Sequence, residues 1–272
     1  MPFVPDLDAY FARIGYSGPR EPTLAVLRSI QLHHVRTIPF ENLAVLLGRP
    51  IDLDPAAIER KLVHDRRGGY CFEQNTYLMH VLRTLGFVVS RLGARVRWQV
   101  PTEVTTATTH LLLLIELDGQ RLLADVGFGS MSLAAPLVLD NEGEQSTPLE
   151  PRRIIRRNGF YLQQSLVGGL WSDVYEFWPV EFSAPDIAVA NWYTSTHPES
   201  RFRLNLTAAR VGDGRRYTLL NREFTVRHAD GRTEKRELES PFELLSLLAD
   251  QFGLVFPAGT RFSAPNLAWP SG

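Results

Sequence analysis

The hydrophobic pattern of this chain changes period at Gly86, and that change limits the available folds more than any other feature. Before it, apolar residues recur every three or four positions, the spacing of one helical face. Asp6 heads a short helix with Leu7, Tyr10, Phe11 and Ile14 inward, ending near Gly15 and Gly18. Thr23 starts a second helix with Leu24, Leu27 and Ile30 inward, and Pro39 breaks it. Asp54-Pro55 opens a third, whose Ile58, Leu62 and Val63 lead to Gly68-Gly69. A fourth begins at Cys71, with Phe72, Thr76, Met79 and Leu82 on one side and Gly86 placed to stop it.

Beyond Gly86 the grammar is that of strands. Phe87–Leu92 and Ala94–Val100 predict two, with Trp98 closing the second, and a polar, threonine-rich loop follows over residues 101–109. His110–Leu117 and Gln120–Val126 form a hairpin about Asp118-Gly119, and Arg152–Arg157 and Phe160–Ser165 another about Asn158-Gly159. Turns at this density predict a compact antiparallel sheet or barrel. The tail alternates again, with strands at Tyr217–Leu220 and Glu223–Val226 and a helix from Ser240-Pro241 to Gln251, a smaller α/β segment. At 272 residues the chain is expected to form two or three packed domains.

Composition excludes several classes of function. A formal net charge of -1 argues against a nucleic-acid surface built on bulk positive charge. No apolar run approaches a bilayer span, and the start, Met-Pro-Phe-Val-Pro-Asp, lacks the form of a secretory signal. The one cysteine, Cys71, permits no internal disulfide and no cysteine-based zinc cluster, as expected of a cytoplasmic chain without a metal centre. Adjacent His33 and His34 point different ways on a helix and make a poor metal pair. Lys61, in a helical run, and Lys235, in a charged loop-like stretch, are the only lysines, and neither resembles a Schiff-base lysine.

Chemistry concentrates around Cys71. Two glycines precede it, allowing a sharp turn and close approach to a ligand, and the helix behind it favours a thiolate through its dipole and free N–H groups. A lone buried cysteine acting as a small hydrophobe is the competing reading. His110 and Asp125 favour the nucleophile. They lie on opposite arms of the Asp118-Gly119 hairpin, at the same end of the sheet. A carboxylate there fixes the imidazole tautomer and supports its protonated form, so that Cys71, His110 and Asp125 read as nucleophile, base and orienter. Arg152, Arg153, Arg156 and Arg157 read as a solvated strand face rather than a phosphate clamp. His197 and His228 have no assigned role.

Along nearly its whole length the chain resembles the arylamine N-acetyltransferases. The resemblance rests on Pro39-Phe40-Glu41-Asn42-Leu43, Arg67-Gly68-Gly69-Tyr70-Cys71-Phe72-Glu73-Gln74-Asn75, Thr109-His110 and Asp125-Val126-Gly127-Phe128-Gly129. Asn191–Pro198 and Ser200-Arg201-Phe202 also fit. The resemblance implies an α+β fold: a helical domain over residues 1–86, a central antiparallel β-barrel domain over 87–195 carrying His110 and Asp125, and an α/β lid over 196–272. It implies a triad arranged as in cysteine proteinases. It also implies ping-pong chemistry in which acetyl-CoA acylates Cys71 and an arylamine or arylhydrazine takes the acetyl group, with O-acetylation of N-hydroxyarylamines as a further reaction. Backbone N–H groups at Cys71 and Phe72 become the expected oxyanion donors. Phe128, Phe72, Val96, Trp98 and Phe202 become the expected acceptor walls, and Thr109, Gly127 and Gly129 the edge of the acetyl-CoA cleft. A cysteine hydrolase of papain-like or transglutaminase-like type would use the same triad and release its acyl group to water. A binding module would tolerate serine in place of Cys71.

Overall fold

The computed structural model describes residues 3–270; Met1 and Pro2, which open the segment read for a leader, lie outside them. Helices fill the first part of the chain: α1 (Leu7–Ile14), α2 (Leu24–Thr37), α3 (Leu43–Leu46), α4 (Pro55–Glu59) and α5 (Cys71–Thr84). Their starts follow local chemistry. The side chains of Asp6, Thr23 and Asp54 accept from Ala9, Val26 and Ala56 N–H respectively, and Gly15 ends α1 at φ 69°, a left-handed conformation that suits glycine. A π turn over Arg60–His64 extends α4.

Among the described residues, twelve strands make two antiparallel sheets. The larger runs β5 (Leu137–Val138), β4 (Gln120–Ala124), β3 (Thr108–Leu117), β2 (Val88–Val96), β8 (Leu170–Glu181), β7 (Phe160–Val167) and β6 (Arg152–Arg157). Its two edges approach each other where Gln145, just after β5, bridges Arg152, so the sheet is nearly closed. The smaller runs β1 (Phe40–Glu41), β9 (Thr207–Gly212), β10 (Arg215–Leu220), β11 (Glu223–His228) and β12 (Thr233–Glu237). Between the sheets in sequence come α6 (Ala184–Thr196) and α7 (Arg201–Leu204), and α8 (Pro241–Phe252) covers the smaller sheet. Helix α5 packs Leu78, Val81 and Leu82 into one core with Leu113 and Ile115 of β3. Among the described residues no helix is long and apolar enough to cross a membrane.

Several expectations need correction. The two strands predicted over residues 87–100 are one, β2, with an irregularity between Ala94 and Arg95. Strands β8, β9 and β12 lie outside the predicted strands although turn pairs border them: Gly168-Gly169 joins β7 to β8, Asp213-Gly214 joins β9 to β10, and Asp230-Gly231 lies between β11 and β12, each of these glycines at positive φ. Lys235 lies on β12 rather than in a loop, because the strand is exposed throughout and its charged side chains alternate on an edge. Arg152 is not part of a solvated face. It is fully buried, ion-paired to Glu150 at 2.5 Å and bonded to the Met131 carbonyl at 3.0 Å. Arg156 and Arg157 are exposed.

Candidate active site

Cys71 is the first residue of α5 and is buried. The chain reaches it through two close passes that admit no side chain. A Cβ on Gly68 would lie 2.2 Å from the Pro39 carbonyl, and one on Gly69 would lie 2.7 Å from a Glu73 carboxylate oxygen. The glycines therefore serve packing inside the protein, where the sequence suggested approach to a ligand. Glu73 accepts the Tyr70 N–H at 3.0 Å and so closes the helix start. The N–H groups of Cys71 and Phe72 have no acceptor among the described residues.

The hairpin delivers the other two groups. In the β3–β4 register Leu113 faces Ala124; one step further, Asp125 falls opposite Leu112, on the same side of the sheet as His110. His110 Nε2 lies 2.8 Å from Asp125 Oδ2, and both side chains are buried. Asp125 Oδ1 accepts from Asn75 Nδ2 and from the Gly127 N–H, each at 2.9 Å. Burial disfavours the imidazolium, but the Asp125 carboxylate outweighs it, with a smaller contribution from Cys71, and His110 is pushed up to about 10. The Cys71 thiol donates to the Thr109 carbonyl at 3.8 Å, so that the sulfur stands beside the residue preceding His110.

These groups open onto a cavity of about 450 Å³. Cys71, Thr109, His110 and Gly127 line it, with Val96, Trp98, Phe128 and Phe202 as apolar walls and Phe40 added to them. The Phe128 ring meets His110 edge-on at 5.1 Å. Two expected residues stand elsewhere. Phe72 is fully buried and packs edge-on against Tyr70 at 5.8 Å, off the cavity, because the second residue of α5 points into the core. Gly129 is absent from the lining; its φ of 91° and the Phe40 ring, 3.0 Å from where a Cβ would be, account for a glycine there.

Sequence reasoning passed over the residues that hold the site. Asn75, one turn after Cys71, spans three partners: Asp125, the Leu111 carbonyl at 2.6 Å and the Val126 N–H at 3.0 Å. Gln74 binds the Pro39 and Gly69 carbonyls at 3.1 and 2.6 Å and accepts from His34, which burial pushes down to about 3. Asn42 holds Phe202 in place, donating to the Phe202 and Asn205 carbonyls at 2.8 and 2.7 Å. The available signal was a run of amides and acids where a buried helix start should be apolar.

The N-acetyltransferase family model matches residues 23–260. The chain belongs to the arylamine N-acetyltransferase family. It is therefore an acyltransferase. It is 43% identical over 253 residues to an arylamine N-acetyltransferase of Mycobacterium tuberculosis, covering 92% of this chain and 89% of that one. It is 38% identical over 249 residues to an arylamine N-acetyltransferase / N-hydroxyarylamine O-acetyltransferase of Salmonella typhimurium, covering 91% and 88%. The solved Mycobacterium marinum arylamine N-acetyltransferase in complex with CoA superposes with a TM-score of 0.88 at 41% identity, covering 91% of this chain and 92% of that one. Among its described residues this N-acetyltransferase has no cluster of three or more metal-ligating side chains.

Proposed function

We propose that this enzyme moves an acetyl group from acetyl-CoA to arylamines and arylhydrazines, and to the oxygen of N-hydroxyarylamines, through an acetyl-Cys71 intermediate. The observation that supports the reading is an aromatic-walled cavity lined by both Cys71 and His110, with Asp125 2.8 Å from the imidazole. In the resting site the Asp125 carboxylate holds His110 as the imidazolium, and Cys71 reacts as its thiolate, giving up the thiol contact to Thr109. The sulfur attacks the thioester carbon, and the resulting oxyanion takes the free N–H groups of Cys71 and Phe72. The intermediate collapses by breaking the carbon–sulfur bond to CoA, whose thiolate receives the His110 proton.

Having given its proton to CoA, His110 is left neutral, and acetylation removes the contribution of Cys71 to the imidazolium, so it stands as the base for the second half. The amine attacks the acetyl carbon, His110 takes its proton, and Cys71 departs as thiolate. Aromatic amines are weak nucleophiles, so this proton transfer should contribute about 10²–10⁴-fold. Phe128, Val96, Trp98 and Phe202 supply flat apolar surface for the arene, and Thr109 and Gly127 border the acetyl-donor side. The CoA complex of the M. marinum relative supports the choice of donor.

Initial rates with both substrates varied test the order of events. Parallel double-reciprocal lines are expected; intersecting lines would mean a ternary complex and overturn the covalent route. A cysteine hydrolase would instead turn over acetyl-CoA equally fast with no amine present.

A further inference from the structure

Beneath the Cys71 loop lies a group of charges that acyl transfer leaves unused. Glu73, in the first turn of α5 and 1% exposed, has two opposing effects on the cysteine two residues before it. Its Oε2 fixes the helix start through the Tyr70 N–H at 3.0 Å. Its negative charge, in the same turn as the sulfur, works against a thiolate.

The second carboxylate oxygen is met by Lys61 Nζ at 2.5 Å. Lys61 comes from the π turn Arg60–His64, closed by an Asp65 N–H to Arg60 carbonyl bond of 2.7 Å. Such turns are rare and cluster at functional positions. Here the widened turn points Lys61 inward beside buried Leu62 and Val63. The neighbouring Glu41 is already taken, by Arg67 at 2.8 Å and the Leu43 N–H at 2.6 Å. The cluster therefore holds two acids and two bases, and among the described residues only the Lys61 cation reaches Glu73. Burial pushes the Glu73 carboxyl up and Lys61 opposes it; burial disfavours the Lys61 ammonium but is outweighed by Glu73 and Glu41.

We propose that Lys61 is a positioning residue that neutralises Glu73, so that the start of α5 keeps its carboxylate cap without losing its preference for the Cys71 thiolate. The inference rests on Cys71 as nucleophile and is independent of which acyl donor or acceptor the enzyme uses.

The test is the rate at which iodoacetamide alkylates Cys71 at neutral pH, followed by intact mass, with no acetyl donor present. Lys61→Met should slow alkylation roughly tenfold, about one pK unit of lost thiolate preference. The double variant Lys61→Met/Glu73→Gln should recover to within about twofold of the unmodified protein, because a neutral amide oxygen caps Tyr70 without needing a counter-charge. Folded Lys61→Met reacting at the original rate would overturn the proposal, as would a double variant as slow as the single one. Should Lys61→Met fail to fold, Glu73→Gln alone decides: alkylation at or above the original rate supports neutralisation, and slower alkylation overturns it. A protein that refuses acetyl-CoA but shows the expected alkylation pattern would defeat the acetyl-transfer reading alone.

Discussion

On the proposed mechanism the Cys71 sulfur is served by groups of different sequence origin: free N–H groups from its own helix, His110 from a strand, and Asp125 fixed through Asn75. The charge on His110 is the most exposed consequence. Its value in the fold, about 10, lies above the ordinary 6.5, so its stabilising contribution is complete below pH 6.5 and is lost as pH rises through 10. Urea unfolding at intervals from pH 6 to 10.5 should therefore show the advantage of the native chain over His110→Gln shrinking toward the alkaline end; a constant difference would mean that His110 is not held charged. Cys71, His110 and Asp125 were legible because their types and chain order carry chemistry directly. Asn75 and Gln74 were not, since an amide becomes informative only when its buried partners are known.

Between elements, the site depends on contacts with no room for a methyl group. A Cβ on Gly127 would stand 2.5 Å from Cys71 Cα, where the loop after β4 crosses the start of α5. Gly127→Ala should push the two apart and cost about 1–3 kcal/mol of stability, with kcat/KM falling at least tenfold; an active, undisturbed variant would show that the loop has slack. The helix starts at Asp6, Thr23 and Asp54 and the hairpins about Asp118-Gly119 and Asn158-Gly159 were readable because capping residues and Asp-Gly or Asn-Gly pairs act locally, whereas α6 behind Ser183, α7 behind Ser200 and the hairpin about Asp213-Gly214 carried the same signals and lay outside the predicted elements. The π turn was not, because nothing in the run Arg60–His64 distinguishes it from ordinary helix; the pull of Lys61 toward Glu73 is a tertiary contact.

Across the whole molecule, Glu150 joins the two sheets. Its carboxylate meets Arg152 of β6 at 2.5 Å and Arg216 of β10 at 2.8 Å, and both guanidiniums are at least 97% buried, exposed by only 1% and 3%. Burial favours the neutral acid, but the two arginines hold Glu150 down at about 2, below the ordinary 4.5. Its contribution is thus present above pH 4.5 and lost as pH falls through 2. Glu150→Gln leaves two buried cations without their carboxylate and should cost about 3–5 kcal/mol near neutrality, a gap in unfolding free energy that closes toward pH 2; a gap below 1 kcal/mol would mean that the sheets do not depend on this ion pair for stability. The sequence could not reveal this join, because Arg152 and Arg216 are far apart in the chain and look like surface residues. All this scaffolding is proposed to serve one covalent step at Cys71, and intact mass spectrometry is the decisive measurement of that step. Mixed with acetyl-CoA alone, the protein should gain one acetyl group, lose it when an aminobenzoate or hydrazide is added, and gain none as Cys71→Ala. A folded protein that stays unmodified, or an acetyl group that persists in the presence of amine, would contradict it.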